Sequence, residues 1–208
     1  MVEALNKISE TRVVSIIRKI PKERLLETIA ALYEGGIRCV EITMDSPDAL
    51  EMIRMVKKEY GDDILVGAGT VLDEMTARSV ILAGAEFVLS PTLSTKVIEV
   101  CNTYSKLAIP GVFTPTEALT AIQAGAQVVK IFPVSSVGPR YIKDLKGPLA
   151  QIRMIPVGGV DERNTKLFIE SGAFAVGVGS CLVNAADVTK GDFEKIKKRA
   201  EALIQEAK

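Results

Sequence analysis

Short apolar runs alternate with amphipathic stretches from one end of the chain to the other. At four junctions a helical pattern ends in glycine and an apolar strand begins: Gly36-Ile37-Arg38-Cys39-Val40, Gly84-Ala85-Glu86-Phe87-Val88, Gly125-Ala126-Gln127-Val128-Val129 and Gly172-Ala173-Phe174-Ala175-Val176. Successive junction glycines lie 48, 41 and 47 residues apart, about twice the length of one strand-plus-helix unit, so each gap should hold a further strand. Val13 to Ile17, Leu65 to Gly69, Leu107 to Pro110 and Arg153 to Val157 are short β-branched or aliphatic runs bounded by Gly, Pro or charges, and they bring the strands to eight. Helical patterns follow over about 21–34, 48–60, 73–83, 94–102, 115–124, 139–146, 164–171 and 193–207. Pro21, Pro115 and Pro139 suit first-turn positions, where an N–H has no partner to lose, and Asp73 and Ser94 can cap the exposed amides of their helices.

Eight alternating units predict a small (β/α)8 TIM barrel, although a doubly wound open sheet also alternates strictly. Helices this short make the barrel smaller than the ~250 residues usual for the fold. Met1 to Ser9 reads as an extra N-terminal helix closing the bottom. At 208 residues a single domain over 1–208 with one hydrophobic core is expected.

Composition narrows the chemistry. With 26 basic and 26 acidic side chains there is no basic excess for a phosphate backbone, so a nucleic acid partner is not expected. The absence of histidine removes every Ser-His, Cys-His and His-metal mechanism, leaving Lys, Glu, Asp, Tyr, Cys or the backbone for catalysis. Cys39, Cys101 and Cys181 are odd in number, far apart and without CxxC spacing, which fits reduced thiols packed as small core residues in a cytosolic protein. Met1 to Ser9 has no apolar signal region and no apolar run reaches spanning length, so a soluble, cytoplasmic protein without a membrane partner is expected.

Two charges stand where a barrel does not want them. Glu41 sits inside Cys39-Val40-Glu41-Ile42-Thr43, and Lys130 inside Val128-Val129-Lys130-Ile131-Phe132. Strand alternation places Glu41 on one face with Cys39 and Thr43, and Lys130 on one face with Val128 and Phe132. Both fall toward the C-terminal half of their strands, the end where barrel active sites are built. Burial by Val128, Ile131 and Phe132 disfavours the ammonium form of Lys130 and so favours a nucleophilic amine, while Glu41 can shuttle the protons of carbinolamine dehydration and of carbon-acid chemistry. The other reading is a buried ion pair kept for structure, which must overcome a desolvation cost of roughly several kcal/mol per ion.

Further signals lie at strand ends. Gly67-Ala68-Gly69-Thr70 makes room and offers the Thr70 hydroxyl to a substrate oxygen, although paired glycines also serve close barrel packing. Val157-Gly158-Gly159 and Gly177-Val178-Gly179-Ser180 end the two last strands, where barrels bind phosphate through bare backbone amides.

With these residues in place, the chain resembles the 2-keto-3-deoxy-6-phosphogluconate (KDPG) / 4-hydroxy-2-oxoglutarate (KHG) aldolases, class I enzymes on a small (β/α)8 barrel. The resemblance runs nearly end to end through Val40-Glu41-Ile42-Thr43, Gly67-Ala68-Gly69-Thr70-Val71, Ser90-Pro91, Pro110-Gly111-Val112-Phe113-Thr114-Pro115-Thr116-Glu117, Val129-Lys130-Ile131-Phe132-Pro133, Gly158-Gly159-Val160 and Ala175-Val176-Gly177-Val178-Gly179-Ser180. It implies that Lys130 forms a Schiff base with pyruvate and that Glu41 shuttles protons. It further implies that Thr70 and Pro91 surround the pyruvate moiety, that Gly159, Gly179 and Ser180 take the phosphate, and that Phe132 and Gly158 complete the substrate contacts. Neither metal nor cofactor is implied; the partners are a 2-keto acid and an aldehyde, and the oligomer a homotrimer.

The chain departs from the family pattern at two positions. Some members have an arginine four residues after the catalytic glutamate; here that position is Asp45, and Arg18 at the end of the first strand becomes the candidate for the pyruvate carboxylate. Members acting on the gluconate epimer resemble Thr-Gly-Gly where this chain has Val157-Gly158-Gly159, and the galactonate branch tends to valine, so a 2-keto-3-deoxy-6-phosphogalactonate aldolase is the alternative. A reading of another class, a catalytically idle barrel acting as a binding or assembly module, also remains open, because fold alone does not confer function.

Overall fold

The computed structural model describes residues 1–208. Helix α1 (Val2–Thr11) leads into strand β1 (Val13–Ile17), and parallel strands β2 (Cys39–Thr43), β3 (Leu65–Gly69), β4 (Phe87–Leu89), β5 (Leu107–Ile109), β6 (Gly111–Val112), β7 (Val128–Ile131), β8 (Arg153–Pro156) and β9 (Val176–Val178) follow. Between and after them run α2 (Leu25–Glu34), α3 (Ala49–Tyr60), α4 (Glu74–Leu82), α5 (Thr95–Thr103), α6 (Pro115–Gln123), α7 (Pro139–Lys146), α8 (Thr165–Glu170), α9 (Ala185–Lys190) and α10 (Phe193–Glu206). The helix starts follow side-chain chemistry. Asp73 accepts the Thr76 N–H, Ser94 accepts the Val97 N–H, and Thr114 with Glu117 forms a reciprocal capping box ahead of Pro115.

The fold is an α/β barrel-like one, but its ladder does not run unbroken through eight strands as the sequence pattern predicts. Six strands pair in the order β5-β4-β3-β2-β1-β9 and three in the order β6-β7-β8. One seam falls at Pro110, inside the fifth expected strand. Proline has no N–H to contribute, so β5 pairs with β4 while the chain beyond it pairs with β7, beginning with the Pro110 carbonyl accepting the Lys130 N–H at 2.9 Å. The other seam lies between β8 and β9, joined by a single bridge at Val157 and Gly177. Helix α9 has no counterpart in the sequence reading: six residues are too few to display a helical period, and its start is a local Asn184 cap on the Ala186 N–H.

Alternation sorts the apolar residues into two layers. Val13, Val40, Val66, Val88 and Val129 join the large cluster under the helices, whereas Val14, Cys39, Leu65, Phe87, Leu107, Val128 and Ile155 form a smaller inner cluster. Helix α1 adds Ala4, Leu5 and Ile8 to that inner cluster. Cys39 and Cys101 are buried, and burial pushes both thiols up to about 12. Cys181 corrects the reading of all three cysteines as core residues: it lies in the loop past β9 and is exposed. No helix is long and apolar enough to cross a membrane.

Two glycines are dictated by close approach. A Cβ on Gly67 would overlap the Phe87 ring, and one on Gly111 would stand within 2.6 Å of the Ser90 carbonyl oxygen and against the Pro91 backbone. Backbone cannot step aside as a side-chain tip can. Gly111→Ala is therefore expected to cost about 1–3 kcal/mol. In Gly147→Ala the new Cβ meets nothing closer than 3.4 Å in a helical backbone, and the variant should gain about 0.4–1 kcal/mol. Urea unfolding of the two variants checks the contrast, and equal midpoints would refute the packing at Gly111.

Candidate active site

A cavity of about 430 Å³ opens where the strands end, and Arg18, Glu41, Thr70, Pro91, Lys130, Phe132, Gly158, Gly159, Gly179 and Ser180 all line it. Strand register brings them together. Glu41 on β2 stands between Ile16 of β1 and Gly67 of β3, and Thr43 stands opposite Gly69. Gly69 is glycine for Glu41: a Cβ there would overlap the Glu41 carboxyl. Lys130 on β7 lies between Gly111 and Ile155, with its Nζ 4.9 Å from the centre of the Phe132 ring.

Glu41 is 1% exposed and Lys130 6% exposed. Burial pushes Glu41 above the usual carboxylate range and Asp45 adds to this, while Lys130 and Arg18 oppose it. Burial pulls Lys130 below the usual lysine range and Arg18 adds to that, while Glu41 opposes it. Both shifts run toward the neutral forms, with desolvation the largest cause of each. A structural ion pair would engage the carboxylate fully; Glu41 Oε2 instead is buried without a hydrogen-bond partner. Desolvation dominates both groups because the cavity floor is the apolar inner cluster.

The mouth is polar. Arg18, just past β1, donates from Nη2 to Thr70 Oγ1 at 3.1 Å, and Thr70 adopts φ +59°, a strained backbone for a β-branched residue. Pro91 packs its backbone against Gly111, and Ser90 donates its hydroxyl to the Val71 carbonyl at 2.7 Å. Across the cavity Gly158 and Gly159 take φ +90° and +84°, which a side chain would strain. Asn164 donates to the Gly159 carbonyl at 2.8 Å and fixes that turn. The amides of Gly158, Gly159, Gly179 and Ser180 donate to no acceptor within the chain, which leaves an anion-receptive rim.

A family model described as "KDPG and KHG aldolase" matches residues 4–199. The 2-dehydro-3-deoxy-6-phosphogalactonate aldolase of Escherichia coli (strain K12) is 35% identical, the alignment covering 92% of this chain and 92% of that protein. The 2-dehydro-3-deoxy-phosphogluconate aldolase of Treponema pallidum (strain Nichols) is 31% identical over 99% of this chain and 98% of its own length. Among solved structures, the KDPG aldolase of Legionella pneumophila, with pyruvate captured as a covalent carbinolamine, superposes with a TM-score of 0.88 at 25% identity, covering 96% of this chain and 97% of that one.

The chain belongs to the KDPG and KHG aldolase family. Membership makes it a carbon–carbon lyase, and the cavity of this aldolase also holds residues that the strand pattern had not marked. Lys19, Val160, Cys181 and Val183 line it from loops, and Ala185 from the start of α9. The only available signal was their nearness to marked strand ends, because loop paths carry no period. Val157 lines the cavity beside Gly158.

The direction of the Lys130 shift can be read directly. Reductive methylation followed across pH by peptide mapping should give Lys130 a midpoint below the ordinary 10.5. Arg18→Met removes a cation that disfavours the ammonium form and should move that midpoint up. A native midpoint at or above 10.5 would contradict the desolvated site.

Proposed function

We propose that this aldolase cleaves 2-keto-3-deoxy-6-phosphogluconate to pyruvate and glyceraldehyde 3-phosphate, and 4-hydroxy-2-oxoglutarate to pyruvate and glyoxylate, through a Schiff base on Lys130. The observation that carries the reading is the burial of Lys130 and Glu41 in one cavity, where desolvation favours the neutral form of each. The reaction lies within an otherwise ordinary barrel: the two sheets and their seams are read as one eight-unit (β/α)8 wall, plugged by the N-terminal helix α1, in a single domain spanning 1–208.

The free amine of Lys130 attacks the C2 ketone, forming the N–C bond of a carbinolamine. Protonated Glu41 delivers its proton to the leaving hydroxyl, water departs and an iminium remains. The Glu41 carboxylate then takes the proton of the C4 hydroxyl; the C3–C4 electron pair moves into the iminium, the aldehyde leaves and an enamine stays on Lys130. Glu41 returns the proton to C3, and water hydrolyses the imine to pyruvate and the amine. Arg18 holds the keto-acid carboxylate beside Thr70, with Pro91 and Phe132 against the pyruvyl carbons, and the amides at Gly158, Gly159, Gly179 and Ser180 receive the phosphate. The carbinolamine captured in the Legionella relative supports the covalent route. A cytoplasmic homotrimer working in carbohydrate breakdown of the Entner–Doudoroff kind completes the reading.

Val157 favours a second reading, the 2-keto-3-deoxy-6-phosphogalactonate aldolase, and the Escherichia coli relative of that name supports it. A hydroxyl lost from this wall leaves a substrate hydroxyl unpaired and changes the balance between epimers.

Incubation with pyruvate and borohydride should add a reduced pyruvyl group to the peptide carrying Lys130. Lys130→Ala should abolish the adduct and keep the melting temperature, whereas an adduct surviving in that variant refutes the assignment. No adduct in a protein that still binds pyruvate would leave the idle-barrel reading. For the epimers, kcat/KM on the two phosphorylated substrates decides, with galactonate preferred if the second reading holds. Val157→Thr should move the ratio toward gluconate by about five- to tenfold, the worth of one hydrogen bond.

A further inference from the structure

Asp45 does not line the cavity but places an anion beside Arg18, which does, and the surrounding backbone is built to keep it there. Ser46 is buried, its N–H donates to the Thr43 carbonyl at 3.0 Å, and its Oγ lies 3.2 Å from Thr43 Oγ1. The same Ser46 Oγ accepts the Lys19 N–H at 2.8 Å, which ties the turn after β2 to the loop after β1. The Met44 N–H donates to the Gly69 carbonyl at 2.8 Å, which ties that turn to the end of β3. Asp45 therefore stands on a frame shared by the segments that carry Arg18 and Thr70.

Its two oxygens are divided between cations. Oδ1 lies 3.5 Å from Arg18 Nε and Oδ2 lies 3.4 Å from Lys19 Nζ. Arg18 itself is 57% exposed, so packing alone does not confine its long side chain. Asp45 faces the guanidinium at Nε as an ion pair and Thr70 accepts a hydrogen bond from Nη2, which leaves the Nη1 hydrogens and one Nη2 hydrogen without a partner in the chain.

We infer that Asp45 is a positioning residue: together with Thr70 it holds the Arg18 guanidinium so that its free donors receive the carboxylate of the keto-acid substrate. The inference rests on the assignment of Arg18 to that carboxylate. A preset arginine loses less freedom when the substrate arrives, so the effect belongs in substrate capture and not in the bond-breaking step.

Borohydride trapping of pyruvate, measured against pyruvate concentration, separates the two. Asp45→Ala should raise the half-saturating pyruvate concentration by about three- to tenfold and leave the saturated trapping rate within about twofold of native. Asp45→Glu should restore much of the loss. In an Arg18→Ala background the further change Asp45→Ala should not raise the half-saturating pyruvate concentration again, because the positioning effect runs through that arginine. The NMR signal of Arg18 Nε–H should exchange faster with solvent in Asp45→Ala than in the native protein. An unchanged half-saturation, or a penalty that persists without Arg18, overturns the positioning role while leaving the aldolase reading intact. Failure of the native protein to trap pyruvate at Lys130 overturns the aldolase reading and the carboxylate assignment with it.

Discussion

Taking a carboxyl and an amine out of water together is the constraint on which the rest of the molecule depends. Neither Glu41 nor Lys130 is stable as an isolated buried charge, and each group shifts toward the form that needs no counter-ion. In the proposed reaction the shifts matter as a pair, since a neutral amine is a nucleophile and a neutral acid a proton source. The strands serve that pairing. Gly69 clears the volume the Glu41 carboxyl occupies, and Gly67 clears the volume of the Phe87 ring, which helps fill the inner cluster. From below, α1 contributes Ala4, Leu5 and Ile8 to the same cluster. Apolar residues thus fill the interior beneath the cavity, and the polar rim is confined to the ends of the strands.

Strain is found at the rim as well. Thr70 and Lys19 both hold positive φ without being glycine, and both make contacts that a relaxed backbone would have to surrender: Thr70 to Arg18, and Lys19 to Ser46 and Asp45. The close-packed layer of strands and helices tolerates such local cost because the remaining backbone is regular. Gly158 and Gly159 also hold positive φ, and a Cβ on Gly159 would stand 2.9 Å from Ser135 Cβ.

Most of the scaffold was legible in the sequence because alternation and glycine punctuation are local signals: Val13–Ile17, Cys39–Thr43 and Leu65–Gly69 fall where the apolar runs put them. Glu41 and Lys130 were legible for a related reason, since a lone charge inside an apolar strand violates the pattern around it. What escaped was relational. Pro110 could be seen in the chain, but which neighbour loses its hydrogen bond depends on the strands to either side. Cys181 looked like the other two thiols, because exposure in a loop has no period. The role of Asp45 was hidden for the same reason. In the sequence it was only a missing arginine, and its contacts reach back across 27 residues to Arg18 through a turn that no repeat announces.

The seams have a mechanical consequence. Lys130 belongs to the three-strand sheet, whereas Glu41, and the strand ends that carry Arg18 and Thr70, belong to the six-strand sheet. The spacing of the amine from its acid is therefore not fixed by a common hydrogen-bonded ruler. It also depends on how the two sheets meet, at Pro110 on one side and at Val157 with Gly177 on the other. Side chains packed along those edges act as shims: a methyl group gained or lost there changes the reach between Lys130 and Glu41 without touching either.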